Sequence, residues 1–136
     1  LMQKDVVDRI IAKEGNSNNG ALSTRIKLLS EVKKICDIDP SSFKPPPKVY
    51  SSLVTFTPLS LSSRLDLETE KYIENLLKIT FNARRKKLKN TLSSVFSKEN
   101  ILNLEKNSEI DFNLRPQDIS VEKWIKLAKL CITINN

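Results

Sequence analysis

Three consecutive prolines, Pro45-Pro46-Pro47, sit in the first half of the chain and forbid a helix or a central strand there. Each lacks a backbone donor and forces its predecessor into extended geometry, so Phe43 to Ser52 begins as a stiff, extended loop. Directly after it, Val49 to Phe56 is rich in β-branched and aromatic residues in a partly alternating pattern, which predicts a half-buried strand. Phe43 stands at the mouth of the loop. Two readings of its ring are open: a core phenylalanine beside a turn, or an aromatic held at small entropic cost for a flat partner such as a nucleobase.

Upstream, the opening residues predict a short strand, and the spacing of Val6, Val7, Ile10 and Ile11 predicts a helix from about Asp5 to Ala12. A chain that starts inside an apolar element reads as cut. Lys13 to Gly20 is polar and glycine-punctuated, hence an exposed, flexible loop. Ala21 to Ser30 is expected to form a helix burying Leu22, Ile26 and Leu29, followed by a strand from Glu31 to Ile38 and a turn over Asp39 to Ser42. These elements amount to one edge of an α/β sheet.

Beyond a serine-rich linker, Leu59 to Arg64, the pattern becomes helical. Asp66 is a plausible N-cap, and Thr69, Tyr72, Ile73, Leu76, Leu77, Thr80 and Phe81 form a stripe at helical spacing behind it. A second helix is expected from Ala83 to Phe96 with Leu88, Leu92, Val95 and Phe96 inward, and a third from a Ser97 cap through Leu104. Ser120 caps a last helix in which Val121, Trp124, Leu127, Ala128 and Cys131 share a face. The second half is thus a small helical bundle.

Charge supplies the first functional signal. The formal net charge is +7 with a pI near 9.5, and of the residues from Arg84 to Lys89 only Leu88 is not basic. Clustering of this kind points to a polyanionic partner, against the blander outcome of a solvated helix face. There is no histidine, so His-based triads are excluded, and Cys36 and Cys131 lack any CxxC pattern, so no metal site is indicated. Both thiols are expected to be reduced and buried. The two glycines, Gly15 and Gly20, form no phosphate-cradling motif. No apolar run approaches membrane-spanning length and the first residues do not resemble a signal peptide, so a soluble, cytoplasmic protein with no membrane partner is expected.

Three blocks occur in order: Leu1-Met2-Gln3-Lys4-Asp5-Val6-Val7-Asp8-Arg9, then Gly20-Ala21-Leu22-Ser23 leading to Phe43-Lys44-Pro45-Pro46-Pro47-Lys48-Val49, then Phe81 to Leu92 with its Arg84-Arg85-Lys86 core. A fourth, Leu114-Arg115-Pro116-Gln117-Asp118-Ile119-Ser120, leads into the last helix. Together they resemble the small-subunit ribosomal RNA adenine dimethyltransferases, the family linked to kasugamycin resistance. The resemblance implies an α/β plus α fold. Residues 1–60 would be the last strands, fifth to seventh, of a Rossmann-like methyltransferase sheet with the seventh antiparallel to its neighbours, and residues 61–136 a small all-helical RNA-binding domain.

It also implies a parent enzyme that uses S-adenosylmethionine to methylate the N6 amines of two adjacent adenines in small-subunit ribosomal RNA. The motifs that grip this cofactor in relatives have no counterpart here, so no cofactor-binding or catalytic residue is carried over, and the chain alone is expected to be inactive. By the resemblance, Phe43 would flank the flipped adenine, and Arg84, Arg85 and Lys86 would contact the RNA backbone, with Lys48 a weaker candidate. Tyr50 departs from the short acidic or amide residue common in relatives, which puts in doubt any local hydrogen bond made there. A non-catalytic RNA-binding or ribosome-assembly module and a related erythromycin-resistance methyltransferase are the competing readings; the long basic helix and the Leu-Arg-Pro lead-in favour the small-subunit group over the latter.

Overall fold

The computed structural model describes residues 1–135. Strand β1 (Met2–Gln3) runs directly into helix α1 (Lys4–Ile11), and helix α2 (Ala21–Leu29) directly into strand β2 (Ser30–Ile38). Strand β3 (Ser51–Pro58) lies between the other two and is antiparallel to both, so β1 and β2 run in the same direction. The third strand is thus reversed as expected. It starts two residues later than the pattern suggested, because Val49 and Tyr50 still belong to the proline loop.

Register in the sheet pairs Val32 with Phe56 and Lys34 with Val54, and an irregularity between Lys34 and Cys36 turns Ile35 out to solvent. Val7 and Ile10 of α1 are buried. In α2 the expected face is wrong: Leu22 and Leu29 are exposed, whereas Ser23, Thr24 and Leu28 are buried. The cause is the polar anchorage of the N-terminus of α2, described below, which rotates the serine–threonine side inward.

Helix α3 (Leu67–Phe81) begins at Asp66, whose carboxylate accepts from the Thr69 amide at 3.2 Å, with Glu68 and Glu70 in the favourable first turn. Its buried residues, Thr69, Ile73, Leu76, Leu77 and Thr80, recur at helical spacing as predicted. The continuous helix expected from Ala83 to Phe96 does not form. Residues 82–87 are turns, helix α4 spans only Leu88–Leu92, and Val95 is exposed. Tertiary contacts explain the break: the Leu88 and Lys89 amides donate to the carbonyls of Leu114 and Phe112 at 2.9 and 3.0 Å, which they could not do inside a longer helix.

Helix α5 (Lys98–Ser108) is capped by Ser97 and ends on Glu109 in the left-handed region, φ 60°. Helix α6 (Val121–Asn135) starts where the Ser120 hydroxyl accepts from the Lys123 amide at 3.3 Å. Trp124, Leu127, Ala128 and Cys131 are fully buried against α3, with Leu28 of α2 joining the same cluster. Burial pushes the Cys131 thiol up to about 11, so it stays a protonated, inert group. Cys36, expected to be buried, is exposed, because the register sets it opposite Leu53, which is itself exposed.

The packing difference within α2 is measurable. Leu28→Ala should cost about 2–5 kcal/mol of stability as a core truncation, and Leu22→Ala within about 0.5 kcal/mol, in urea unfolding followed by Trp124 fluorescence.

Candidate nucleic-acid interface

The basic residues sit on a turn. Arg84, Arg85, Lys86 and Lys87 are all exposed, in the connection between α3 and α4. Among the described residues, no ion pair involves any residue from Arg84 to Lys89; Lys4, Arg25, Lys34, Arg64 and Lys126 do have carboxylate partners, and what sets the turn apart is the crowding of its unpaired cations. No carboxylate therefore neutralises the positive charge of the turn among the described residues.

The turn is held rather than loose. One Arg84 Nη2 donates to the carbonyl of Ser17 at 2.7 Å and lies 3.3 Å from that of Asn19. The guanidinium also stands 6.0 Å over the Phe81 ring, which in turn meets Trp124 at 6.4 Å between centroids. Arg84 is thus coupled to the core through an aromatic pair, and it lines a surface cavity of about 340 Å³. Arg9 of α1, Ser17, Asn18 and the first residues of α2 line the same cavity, with no carboxylate among them. Sequence reasoning missed Arg9: a single arginine on a short amphipathic helix carries no signal until the fold brings it beside Arg84.

The loop ahead of α2, expected to be flexible, is the joint between the two halves. Asn19 is buried; its Nδ2 donates to the Gln117 carbonyl at 2.9 Å, and its Oδ1 accepts from the Ser23 hydroxyl at 2.8 Å. The Gly15 amide, at φ 85°, donates to the same Gln117 carbonyl at 3.0 Å, and Ser23 Oγ accepts from the Gly20 amide at 2.9 Å. So the blocks around Gly20, Arg84 and Gln117, distant in sequence, meet at one place.

Phe43 and Lys48 lie elsewhere, on the loop from Asp39 to Tyr50. Phe43 is half-buried and belongs to no core cluster, while Lys48 is exposed and the Lys44–Pro45 peptide is cis. Within this loop the Asp39 carboxylate accepts from the Ser41 amide at 2.9 Å and from the Tyr50 hydroxyl at 3.0 Å. Tyr50 therefore does make a local hydrogen bond. Among the described residues no hydrogen bond, ion pair or ring contact joins Phe43 to the Arg84 turn.

A charged ladder joins α1 to the sheet. Lys4 pairs with Asp8 at 2.8 Å, Lys34 reaches Asp8 at 3.4 Å and Asp37 at 3.3 Å, and the Ser52 hydroxyl donates to Asp37 at 2.6 Å. Hydrogen bonding to Lys4 holds the Asp8 carboxyl below its usual range, and the Ser52 hydroxyl does the same for Asp37. Lys4 is raised, chiefly by its bond to Asp8. At its first strand-to-helix junction the chain does not fit a cofactor cradle. The strand-to-helix junction at Gln3–Lys4 has no glycine, and its Lys4 amide is already used by the Tyr50 carbonyl at 2.9 Å. No group of three metal-ligating side chains occurs among the described residues, and no helix there is long and apolar enough to cross a membrane.

The ribosomal RNA adenine dimethylase family matches residues 1–133. The chain belongs to that family. It is 63% identical over 134 residues to ribosomal RNA small subunit methyltransferase A of Prochlorococcus marinus strain MIT 9312, covering 98% of this chain and 49% of the relative. The namesake from a Nostoc strain is 40% identical over 130 residues, 96% of this chain and 47% of the relative. The chain thus spans about half the length of these curated relatives. Among solved structures, a dimethyladenosine transferase from Plasmodium falciparum superposes with a TM-score of 0.69 at 28% identity, over 92% of this chain and 53% of that one. The 23S rRNA methyltransferase ErmE shares the fold, with a TM-score of 0.68 at 15% identity over 94% of this chain and 51% of that one.

The charged ladder makes a pH prediction. The depressed Asp8 and Asp37 carboxyls contribute stability that is complete above the ordinary carboxylate value of about 4 and is lost as pH falls through their lowered values. The raised Lys4 contributes below the ordinary lysine value of about 10.4 and loses it as pH rises through the raised one. Asp8→Asn should flatten both limbs of a plot of urea midpoint against pH.

Proposed function

We propose that this chain is the C-terminal part of an S-adenosylmethionine-dependent methyltransferase that dimethylates two adjacent adenines at N6 in small-subunit ribosomal RNA. Residues 1–60 would complete a Rossmann-like sheet as its fifth, sixth and seventh strands, and residues 61–136 would be a helical RNA-binding domain. Family membership and the half-length match to relatives support the division. The cofactor would be held by the part of the enzyme outside this chain, since the residues present do not fit it. When bound it supplies the methyl group.

The observation that carries the RNA reading is the uncompensated basic turn, fixed in place by Arg84. A phosphate between Arg84 and Arg9 would meet two planar guanidiniums with no carboxylate to compete, and Arg85 and Lys86 would extend the contact along the backbone. Lys48 would add a further phosphate contact beside the proline loop. Phe43, half-buried and outside the core, would stack on the adenine once it is turned out of its helix, contributing on the order of 1–3 kcal/mol. The partner is then the immature small ribosomal subunit, met in the cytoplasm.

Replacing Arg84, Arg85 and Lys86 by alanine should weaken binding to small-subunit RNA and lower the salt slope of log K by about 0.7 to 0.9 for each phosphate no longer neutralised. Neutralising Lys123, Lys126 and Lys129 on α6 is the matched control. Equal losses from both variants would mean that attraction is diffuse and that the turn is not a site. Because Arg84 also ties down the Ser17 carbonyl, the triple variant should lose about 1 kcal/mol of stability, visible in its urea midpoint.

The cofactor assignment has its own check. Titration calorimetry of the 136 residues with S-adenosylmethionine should give no saturable heat, whereas a chimera joined to the N-terminal half of the Prochlorococcus relative should bind it stoichiometrically. Saturable binding by the chain alone would refute the division of labour.

A further inference from the structure

We propose that the hydrogen bond between Tyr50 and Asp39 is a clamp that sets where Phe43 stands, which makes these two side chains positioning residues for the adenine pocket. The pocket role rests on the reading of Phe43 given above.

The loop from Asp39 to Tyr50 is not held by packing. Only Pro40 and Phe43 in it are even half-buried, and none of its side chains belongs to the core. The prolines stiffen the middle of the loop but do not fix its direction. Direction comes from a relay of hydrogen bonds that starts in the sheet. The Lys4 amide donates to the Tyr50 carbonyl at 2.9 Å, and Ser51, the next residue, pairs with Gln3 and Ile38, so the Tyr50 backbone is fixed.

From there the Tyr50 hydroxyl reaches Asp39 Oδ2 at 3.0 Å, closing the loop across its base. Asp39 Oδ1 accepts from the Ser41 amide at 2.9 Å, and the Ser42 amide donates to the Asp39 carbonyl at 3.0 Å. The Phe43 amide then donates to the Pro40 carbonyl at 3.2 Å, at the end of this single helical turn. One carboxylate therefore grips both ends of the loop, and Phe43 is the first residue beyond its grip. Tyr50 is 48% exposed, so its ring does not serve the core. The chemistry of the pair suits the task. The Ser41 amide and the Tyr50 hydroxyl hold the Asp39 carboxyl below its usual range, and Asp39 raises the Tyr50 phenol, so acceptor and donor keep the required forms through neutral pH.

The 136-residue chain, labelled with 4-fluorophenylalanine, reads the clamp directly. In Tyr50→Leu, which removes the hydroxyl without adding a labelled ring, the Phe43 fluorine resonance, assigned with Phe43→Leu, should shift and sharpen towards an averaged position while that of Phe112 in the core stays put. An unmoved Phe43 resonance overturns the clamp. The chimera with the N-terminal half of the Prochlorococcus relative reads the consequence. Tyr50→Phe should lower kcat on RNA about two- to tenfold, as expected for the loss of one hydrogen bond, and Asp39→Ala, which removes two, by at least as much, with cofactor affinity unchanged. In a Phe43→Ala background, Tyr50→Phe should change kcat less than about twofold, because it acts through that ring. A Tyr50→Phe loss that persists undiminished in that background overturns the positioning role. A Phe43→Ala chimera with unimpaired turnover overturns the adenine reading and the pocket role with it, while the fluorine spectrum decides separately whether the clamp holds the ring.

Discussion

Asn19 is a buried polar residue at which the two halves of the molecule hold each other. Its side chain donates to the carbonyl of Gln117, ahead of the last helix, and accepts from Ser23 at the start of α2, while its own carbonyl lies within reach of Arg84. Buried amide groups of this kind are strongly constraining, because removing any one partner leaves a polar atom stranded away from water. With Asn19 satisfied, α2 is rotated so that Leu28 enters the helical core and Ser23 and Thr24 face inward. The Arg84 turn is set by the same contact. A loop that reads as a flexible spacer is instead the hinge pin of the structure.

This arrangement separates two kinds of charge. Along the sheet, Lys4, Asp8, Lys34 and Asp37 neutralise one another and fasten α1 to β2, with Ser52 of β3 bonded to Asp37. On the Arg84 turn the cations have no acidic partners among the described residues, and only Arg84 is tethered, by carbonyls that cannot cancel its charge. A tethered but uncompensated guanidinium loses little further freedom when an anion arrives, which is the physical basis for reading the turn as a phosphate-binding surface.

Much of the organisation was legible in the residues. The prolines placed the loop, Asp66, Ser97 and Ser120 marked helix starts that carry those caps, and the stripes of α3 and α6 named their buried faces. These features depend on local chemistry: a missing donor, a side-chain oxygen near three free amides, a period of 3.6. That the expected long basic helix is broken into a turn and a short helix was not legible. Leu88, Leu92 and Phe96 have helical spacing, but the amides of Leu88 and Lys89 are taken by carbonyls of the chain that returns from α5, and no window of local sequence contains that competition.

The candidate sites divide along the same line. Sequence alone determined that Phe43 sits on a rigid loop and that Arg84, Arg85 and Lys86 form a basic cluster, because proline restricts its own backbone and clustered charge needs no fold to be seen. Only the tertiary structure decided that Arg9 shares a cavity with Arg84, that Tyr50 closes the proline loop on Asp39, and that α2 buries Leu28 rather than Leu22. Those outcomes turn on which polar atoms, far apart in the chain, satisfy one another, and hydrogen-bond partners at long sequence separation are chosen by the folded geometry as a whole.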